Sequence, residues 1–194
     1  DPVKPLGTGI TCSKRVYSIG DSMYVGTCSN LSLYDSKFRT NTEIWHDRTI
    51  SICTYPNGDL LMGTLHGLYL KKTTSPSISK IDLLGNRKIL DIKVKKDLTY
   101  VATDSGVCIF NTQMKAKYIT ENEGLTSNSC TKLYLNSNEL WVGTISGLNV
   151  IKSPNNFWGF TINKITSYNG LLSDYVNDIF IRNDSIWVAT NEGL

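Results

Sequence analysis

The chain has 194 residues, of which 40% are hydrophobic and 19% are charged, and its formal net charge is +3. This composition is typical of a globular protein, and so small a positive charge argues against a nucleic-acid partner. The sequence contains no run of eighteen apolar residues and therefore predicts no membrane-spanning helix. The polar, proline-containing residues 1–5 are unlike a signal peptide, which indicates either a cytosolic protein or a mature or excised part of an exported one.

Five copies of one short phrase divide the chain into units of roughly forty residues, a spacing typical of repeat proteins. Each copy has an aromatic residue or leucine, a second apolar residue, glycine or alanine, and then threonine. The copies end at Thr27, Thr64, Thr103, Thr144 and Thr190. Because repeated units bury one another's faces, we expect one continuous array rather than separate domains.

Taken in chain order, the units have the same internal order of strands and turns. The first departs from the others, because Asn30 stands where they have glycine, and we expect Asn30 to adopt the left-handed conformation there. The fourth is the clearest, with strands predicted at residues 129–135, 140–144, 148–151 and 160–165 and with Asn and Gly in the turns. No stretch has the apolar period of a helix, so we predict almost no helix.

Four short antiparallel strands in about forty residues are typical of a β-propeller blade. The fold class is therefore predicted to be all-β, a β-propeller of four-stranded antiparallel blades, with four complete blades and a partial fifth. The small residue before each threonine suits crowded inner strands, and the aromatic residue of each copy is predicted to lie between blades. The predicted blades are residues 10–47, 48–85, 86–122 and 123–168, with the partial blade at 169–194.

The five cysteines are odd in number and lack the Cys-x-x-Cys spacing of zinc and redox motifs. Most of them lie in apolar, strand-like runs, where buried thiols are expected. They are Cys12, Cys28, Cys53, Cys108 and Cys130. One disulfide is compatible with the sequence, which does not define the pair.

Two segments of the fourth unit resemble the two-component regulator propeller repeat. These are Glu-Asn-Glu-Gly-Leu-Thr-Ser-Asn at residues 121–128 and Asn-Glu-Leu-Trp-Val-Gly-Thr-Ile-Ser-Gly-Leu at residues 138–148. The fifth unit repeats the pattern, the second and third units match in their second halves, and the first is the most degenerate. The Gly-His and Trp-Asp pairs of WD40 propellers are absent from the sequence.

This resemblance implies a periplasmic sensing region of a membrane sensor histidine kinase, in many cases a hybrid two-component system of gut-type bacteria that detects carbohydrate breakdown products. It further implies an oligosaccharide or other small ligand, contacts with other propeller or β-domains of the parent protein, and a homodimer of that protein. Because a closed ring in this family has seven or more blades, the chain is expected to be a piece of a seven-bladed or tandem propeller, or to have its open ends covered by another copy.

A propeller places the turn between the second and third strands on the same face as the connections between blades, and we expect a ligand there. The predicted site residues are Trp45, His46, Asp47, Arg48, His66, Asp104, Asn128, Asp174 and Tyr175. An aromatic ring beside planar donors suits a saccharide. In the competing interpretation, Trp45 is core and Asp47 forms a surface pair with Arg48.

The sequence favours a binding protein over an enzyme. Its only histidines, His46 and His66, have no surrounding cluster of metal ligands, and neither a Gly-x-Ser-x-Gly motif nor a P-loop is present. We therefore expect no cofactor and no metal. Two alternatives stay open: a propeller that only docks another protein, and a propeller glycosidase or lyase with an acid and a base in its central channel.

Overall fold

The computed structural model describes residues 13–19, 22–34, 41–136, 138–154, 159–183 and 185–194, without the side chains of residues 13–15 and 41. These residues form eighteen strands and two 3-10 turns, Asp82–Leu84 and Glu121–Glu123. The strands are β1 Ser13–Ile19, β2 Ser22–Thr27, β3 Leu31–Tyr34, β4 Asn41–Trp45, β5 Thr49–Thr54, β6 Leu60–Thr64, β7 Gly67–Lys71, β8 Ile78–Ile81, β9 Ile89–Lys95, β10 Leu98–Thr103, β11 Gly106–Asn111, β12 Ala116–Ile119, β13 Cys130–Leu135, β14 Glu139–Thr144, β15 Gly147–Lys152, β16 Thr161–Ile165, β17 Val176–Arg182 and β18 Ser185–Thr190.

Successive strands pair antiparallel into separate sheets. The order is β1-β2-β3-β4, then β5-β6-β7-β8, then β9-β10-β11-β12, then β13-β14-β15-β16, with the hairpin β17-β18 last. The first strands of neighbouring sheets lie side by side, from β1 and β5 to β13 and β17. This arrangement confirms the predicted all-β propeller architecture.

The core lies between the blades, where one sheet packs on the next. The aromatic residue of the repeated phrase sits in these layers, as predicted. Tyr100 is fully buried between the third and fourth blades, and Trp141 packs against Val176 and Ile179 of the last hairpin. Trp187, at the same position in β18, is 50% exposed compared with 7% for Trp141, because no described residue packs over that face of the hairpin.

The small residue before each threonine is required by the neighbouring blade. A Cβ built on Gly143 would lie 2.7 Å from Cγ1 of Val176 and 3.0 Å from Oγ1 of Thr131. Where the phrase has Ala102 instead, the packed cluster contains Cys130, a smaller side chain than valine or isoleucine. The size of this residue is therefore matched to the first strand of the following blade.

The threonine that ends each phrase holds the turn between the second and third strands. In the third blade, Oγ1 of Thr103 donates to the carbonyl of Gly106 at 2.7 Å and accepts the N–H of Ser105 at 3.0 Å. Gly106 has φ +100°, and a Cβ there would lie 2.5 Å from the carbonyl oxygen of Ile119, so only glycine fits. Thr64, Thr144 and Thr190 make the same pair of bonds.

The first blade closes this turn in another way. Asn30 is not among the described residues with positive φ, so the expected left-handed conformation is wrong. Instead, Oγ1 of Thr27 lies 2.6 Å from the Asn30 side-chain oxygen and accepts the Asn30 backbone N–H at 3.0 Å. The Thr27 hydroxyl also makes the usual pair of bonds at longer distances, donating to the Asn30 carbonyl at 3.3 Å and accepting the Ser29 N–H at 3.3 Å, so the asparagine side chain adds a bond that the glycine turns lack.

The cysteines fall into two classes. Cys28 is disulfide-bonded, whereas Cys53, Cys108 and Cys130 are free thiols. Burial raises the pKa of the Cys108 and Cys130 thiols to about 12. Cys12 lies outside the described residues. The free thiols are therefore core side chains, as expected from their apolar surroundings.

Candidate functional site

One face of the array is formed by the turns between second and third strands together with the connections between blades; we call it the connection face. Backbone bonds tie the two parts together in three blades. The N–H of Asp104 donates to the carbonyl of Lys88 at 3.4 Å, that of Ile145 to Ser129 at 3.2 Å, and that of Asn191 to Tyr175 at 3.2 Å. The predicted site residues in turns and those in connections therefore lie on the same face.

Asp47 and His66 are brought together on this face. Nδ1 of His66 lies 3.1 Å from Oδ2 of Asp47, while Oδ1 of Asp47 accepts the backbone N–H of Arg48 at 2.6 Å. No ion pair joins the side chains of Asp47 and Arg48 within the part of the chain that the structure describes. His46 is exposed, and its Nδ1 lies 3.3 Å from Oε1 of Glu43. Asp47 therefore pairs with the imidazole of His66, nineteen residues further along the chain.

Trp45 is half-buried and packs against the core cluster shared by the first and second blades. It ends β4 and packs on Tyr69 of the second blade, with ring centroids 4.8 Å apart and an angle of 45° between the planes. Its indole nitrogen is buried and has no hydrogen-bond partner among the described residues. Trp45 therefore occupies the place that the core interpretation gave it.

Asn128 and Asp174 fold the connections between blades. Oδ1 of Asn128 accepts the N–H of Glu121 at 2.9 Å, and Oε1 of Glu121 accepts the N–H of Asn128 at 2.7 Å. In the next connection, Oδ1 of Asp174 accepts the N–H of Ser167 at 2.6 Å. These side chains hold the loop closed and so have less capacity for a ligand.

Tyr175 and a tyrosine that sequence reasoning did not select, Tyr168, make the last connection aromatic. The Tyr168 side chain is 98% exposed and Tyr175 is 39% exposed. Each tyrosine directly follows one member of the hydrogen-bonded pair Ser167–Asp174, which we call the clamp of this connection; Glu121–Asn128 is the clamp of the preceding one. Aligning the two connections on their clamps places Asn122 and Ser129 at the corresponding positions of the preceding connection. Comparing the sequences of the two connections could therefore have identified the two tyrosines as candidate site residues.

Asp104 is exposed at the turn of the third blade, where its Oδ1 accepts a hydrogen bond from the Ser105 hydroxyl at 3.3 Å. With His46 and the Asp47–His66 pair, it gives the connection face a polar character along the first three blades. The aromatic part lies at the fourth connection.

A second candidate site lies where the first strands converge. A cavity of about 280 Å³ is bounded by residues from β1, β5, β9 and β13. Its lining residues are Val16, Tyr17, Ile50, Ser51, Ile52, Leu90, Asp91, Lys93 and Lys132. We call it the inner-strand cavity. Sequence reasoning missed it because it is assembled from four blades.

Asp91 is the buried charge of this cavity and bonds to three blades. Oδ1 accepts the Ser51 hydroxyl at 3.1 Å, and Oδ2 accepts the N–H of Leu133 at 3.1 Å. The ammonium group of Lys93 lies 3.4 Å from Oδ2. A carboxylate this well satisfied stays compatible with burial.

The described residues contain no group of three or more His, Cys, Asp or Glu side chains that could hold a metal ion. The same residues contain no helix that is long and apolar enough to span a membrane. The chemistry available at both sites is hydrogen bonding, ion pairing and aromatic stacking.

No protein-family model matches the sequence, and no curated protein matches it. Solved structures do match. The extracellular domain of BT4673 from B. thetaiotaomicron, proposed to be a one-component or hybrid two-component system, has TM-score 0.82 and 20% identity over 98% of this chain and 28% of that one. The extracellular domain of BT3049 from the same organism, proposed to be a hybrid two-component system, has TM-score 0.73 and 18% identity over 92% of this chain and 26% of that one. In its fold, the chain matches part of each of these extracellular domains.

A third similar structure, YCF48 from Cyanidioschyzon merolae, has TM-score 0.65 and 8% identity over 94% of this chain and 66% of that one. A YCF48 structure with a bound D1 peptide is similar as well. The chain spans about a quarter of the two sensor ectodomains.

Proposed function

We propose that the chain is a propeller region of an extracytoplasmic, periplasmic sensor that binds an oligosaccharide on its connection face without chemical turnover. The single observation that carries this proposal is the pair of exposed tyrosines, Tyr168 and Tyr175, at the last connection. The likeness in fold to sensor ectodomains and the repeat resemblance in the sequence support the sensory role. The disulfide of Cys28 suits an oxidising compartment.

A sugar ring presents an apolar C–H face and a hydroxylated edge, so it is recognised by an exposed aromatic ring with hydrogen-bonding groups beside it. Tyr168 and Tyr175 provide the rings. The neighbouring turn of the last hairpin carries Asn191, whose side-chain oxygen accepts from Asn177 at 2.9 Å. The exposed residues His46 and Asp104 and the half-buried Arg48 provide further polar groups along the same face.

The proposed signal is a change in packing. Ligand on the connection face would favour one arrangement of the propeller against another domain or a second copy of the parent protein, and a membrane-linked histidine kinase would respond and alter transcription. Such a ligand shifts the equilibrium only by its difference in affinity for the two arrangements. The homodimer and the neighbouring β-domains belong to this proposal.

Binding of an oligosaccharide panel to the chain, measured by isothermal titration calorimetry, tests the proposal. We expect Tyr168→Ala and Tyr175→Ala each to weaken binding about tenfold, since ring stacking contributes on the order of 1–2 kcal/mol. The matched control is Asn122→Ala, at the position in the preceding connection that corresponds to Tyr168, which should bind like the parent. Equal affinity in all three variants, or no binding by any oligosaccharide, would contradict the proposal.

A second candidate function is docking of a protein. The last hairpin favours it, because its cross-strand neighbours Phe180 and Trp187 are 57% and 50% exposed where the equivalent Trp141 is covered by the next hairpin, so the partner proposed there is a further propeller or β-domain of the parent protein. Phe180→Ser would then abolish association with a protein partner while leaving oligosaccharide binding unchanged. The two functions can be distinguished by mutation. Oligosaccharide binding should depend on residues of the connection face, and protein association should depend on residues of the hairpin face.

A further inference from the structure

The inner-strand cavity combines apolar lining residues with the buried carboxylate of Asp91 and two lysines. Its volume of about 280 Å³ is close to the lower limit of roughly 300 Å³ for small-molecule pockets. Ile50, Ile52 and Leu90 form part of the wall, and Asp91, Lys93 and Lys132 carry the charges. A cavity of this size accommodates one small molecule.

The carboxylate of Asp91 is already occupied by the protein. Its Oδ1 accepts from the Ser51 hydroxyl at 3.1 Å and from the N–H of Ile92 at 3.0 Å, while Oδ2 accepts from Leu133 at 3.1 Å and contacts Lys93 at 3.4 Å. A carboxylate offers about four acceptor positions, and these contacts use them. A ligand in the cavity would therefore meet the lysines and not Asp91.

The two lysines have donors to spare. Among the described residues, Lys93 has one ion-pair partner, Asp91, and Lys132 has one, Asp178, at 3.1 Å. An ammonium group has three N–H donors, so each can bond to a ligand without leaving its carboxylate. The Asp178 side chain is 58% exposed, so water screens its electrostatic attraction for the Lys132 ammonium group.

We propose that the inner-strand cavity binds a small organic anion, a carboxylate or sulfate on an apolar or sugar-like body, between Lys93 and Lys132. The anionic group would accept hydrogen bonds from both ammonium groups, which form the strong, charge-assisted class. The apolar side chains would cover the rest of the molecule. This site is separate from the connection face, and its test does not depend on oligosaccharide binding there.

Three probes separate the ligand chemistry: D-glucuronate, D-glucose 6-sulfate and uncharged D-glucose, each titrated into the chain and followed by ¹H–¹⁵N NMR. We expect glucuronate or glucose 6-sulfate to bind, with amide shifts at Asp91 and Leu133, and glucose to bind at least tenfold more weakly. Binding by glucuronate alone assigns a carboxylate, and binding by both anions assigns a general anion site.

Lys93→Gln and Lys132→Gln should each weaken binding of the anion about tenfold or more, because each removes a charged donor. Lys164→Gln is the matched control, since Lys164 is exposed on β16, away from the cavity, and should not change the affinity. Thermal unfolding of each variant checks that the fold is kept. Equal binding of glucose and the anions, shifts confined to residues outside the cavity, unchanged affinity in both lysine variants, or no shifts at tens of millimolar would overturn the proposal.

Discussion

Gly63 in β6 faces Ile89 in β9 across the boundary between the second and third blades, and a Cβ on Gly63 would lie 2.5 Å from Cγ2 of Ile89. Such a contact is shorter than van der Waals packing allows, and Ile89 is fully buried with little room to move. The short repeated phrase and the first strand of the next blade are therefore fitted to each other.

Gly63→Ala is expected to lower the free energy of unfolding by about 1–3 kcal/mol, because overpacking strains a filled core. Urea denaturation followed by tryptophan fluorescence measures the change. The double variant with Ile89→Ala should lose less than the sum of the two single variants, since the clashing Cγ2 is then absent. If the Gly63→Ala protein were as stable as the parent, Ile89 and its strand must be able to move away from the new Cβ without a cost in free energy.

Thr103→Val is expected to lower the free energy of unfolding by about 1–3 kcal/mol. The change keeps the shape of the side chain but leaves the Gly106 carbonyl and the Ser105 N–H without their bonds to the hydroxyl. Thr190→Val is the matched control, because Thr190 makes the same two bonds at a more exposed turn, where water replaces them. Equal losses in chemical denaturation would argue against burial as the cause.

Trp45→Phe should cost less stability than Trp141→Phe, by about 1–2 kcal/mol. The first change removes a buried N–H that has no partner among the described residues, whereas the second removes an N–H that donates to Oε2 of Glu139 at 3.1 Å. Both variants lose similar ring volume, and Trp45 is the less buried ring, so the hydrogen bond and the burial both predict the smaller loss at Trp45 in thermal or urea denaturation. A larger loss at Trp45 would contradict its unpaired state.

The buried thiols predict a loss of stability at alkaline pH. The pKa of Cys130 is raised to about 12 from 9.0, so the folded chain keeps the proton that the unfolded chain releases. The resulting stabilisation is present below pH 9 and is lost as the pH rises from 9 towards 12. Cys130→Ala should therefore lose less stability than the parent between pH 9 and 11, in urea titrations at each pH. A parallel decline in the two proteins would contradict a raised pKa in the folded chain.

The repeated phrase was sufficient to predict the blades, because Gly or Ala before Thr, followed three residues after that Thr by Gly, specifies both a packing position and a turn. Gly106 and Gly147 take positive φ, as the turn prediction requires. Asn30 shows the limit of this reasoning. A residue type that tolerates a left-handed backbone can keep the turn without positive φ when its side chain adds a bond, here between the Asn30 side-chain oxygen and the Thr27 hydroxyl.

The site was less predictable than the fold, because its residues are joined by packing between blades. The sequence suggested that Trp45 is either a ligand platform or core, and only the contact with Tyr69 decides between them. Asp91 looked like an ordinary strand residue, since its partners Ser51 and Leu133 lie about forty residues away on either side. Comparison of Tyr168 with Asn122 in the preceding connection was possible from the sequence, but it requires the two connections to be aligned on their clamps.

The three-blade bonding of Asp91 has a consequence for how the array unfolds. In a simple repeat array, each unit interacts with its nearest neighbours, and the ends can open independently. Asp91 bonds to β5 on one side and to β13 on the other, so separating either neighbouring blade leaves a buried carboxylate short of donors. The second, third and fourth blades are thereby coupled into one cooperative unit, and their slowest-exchanging amides should share a single opening free energy.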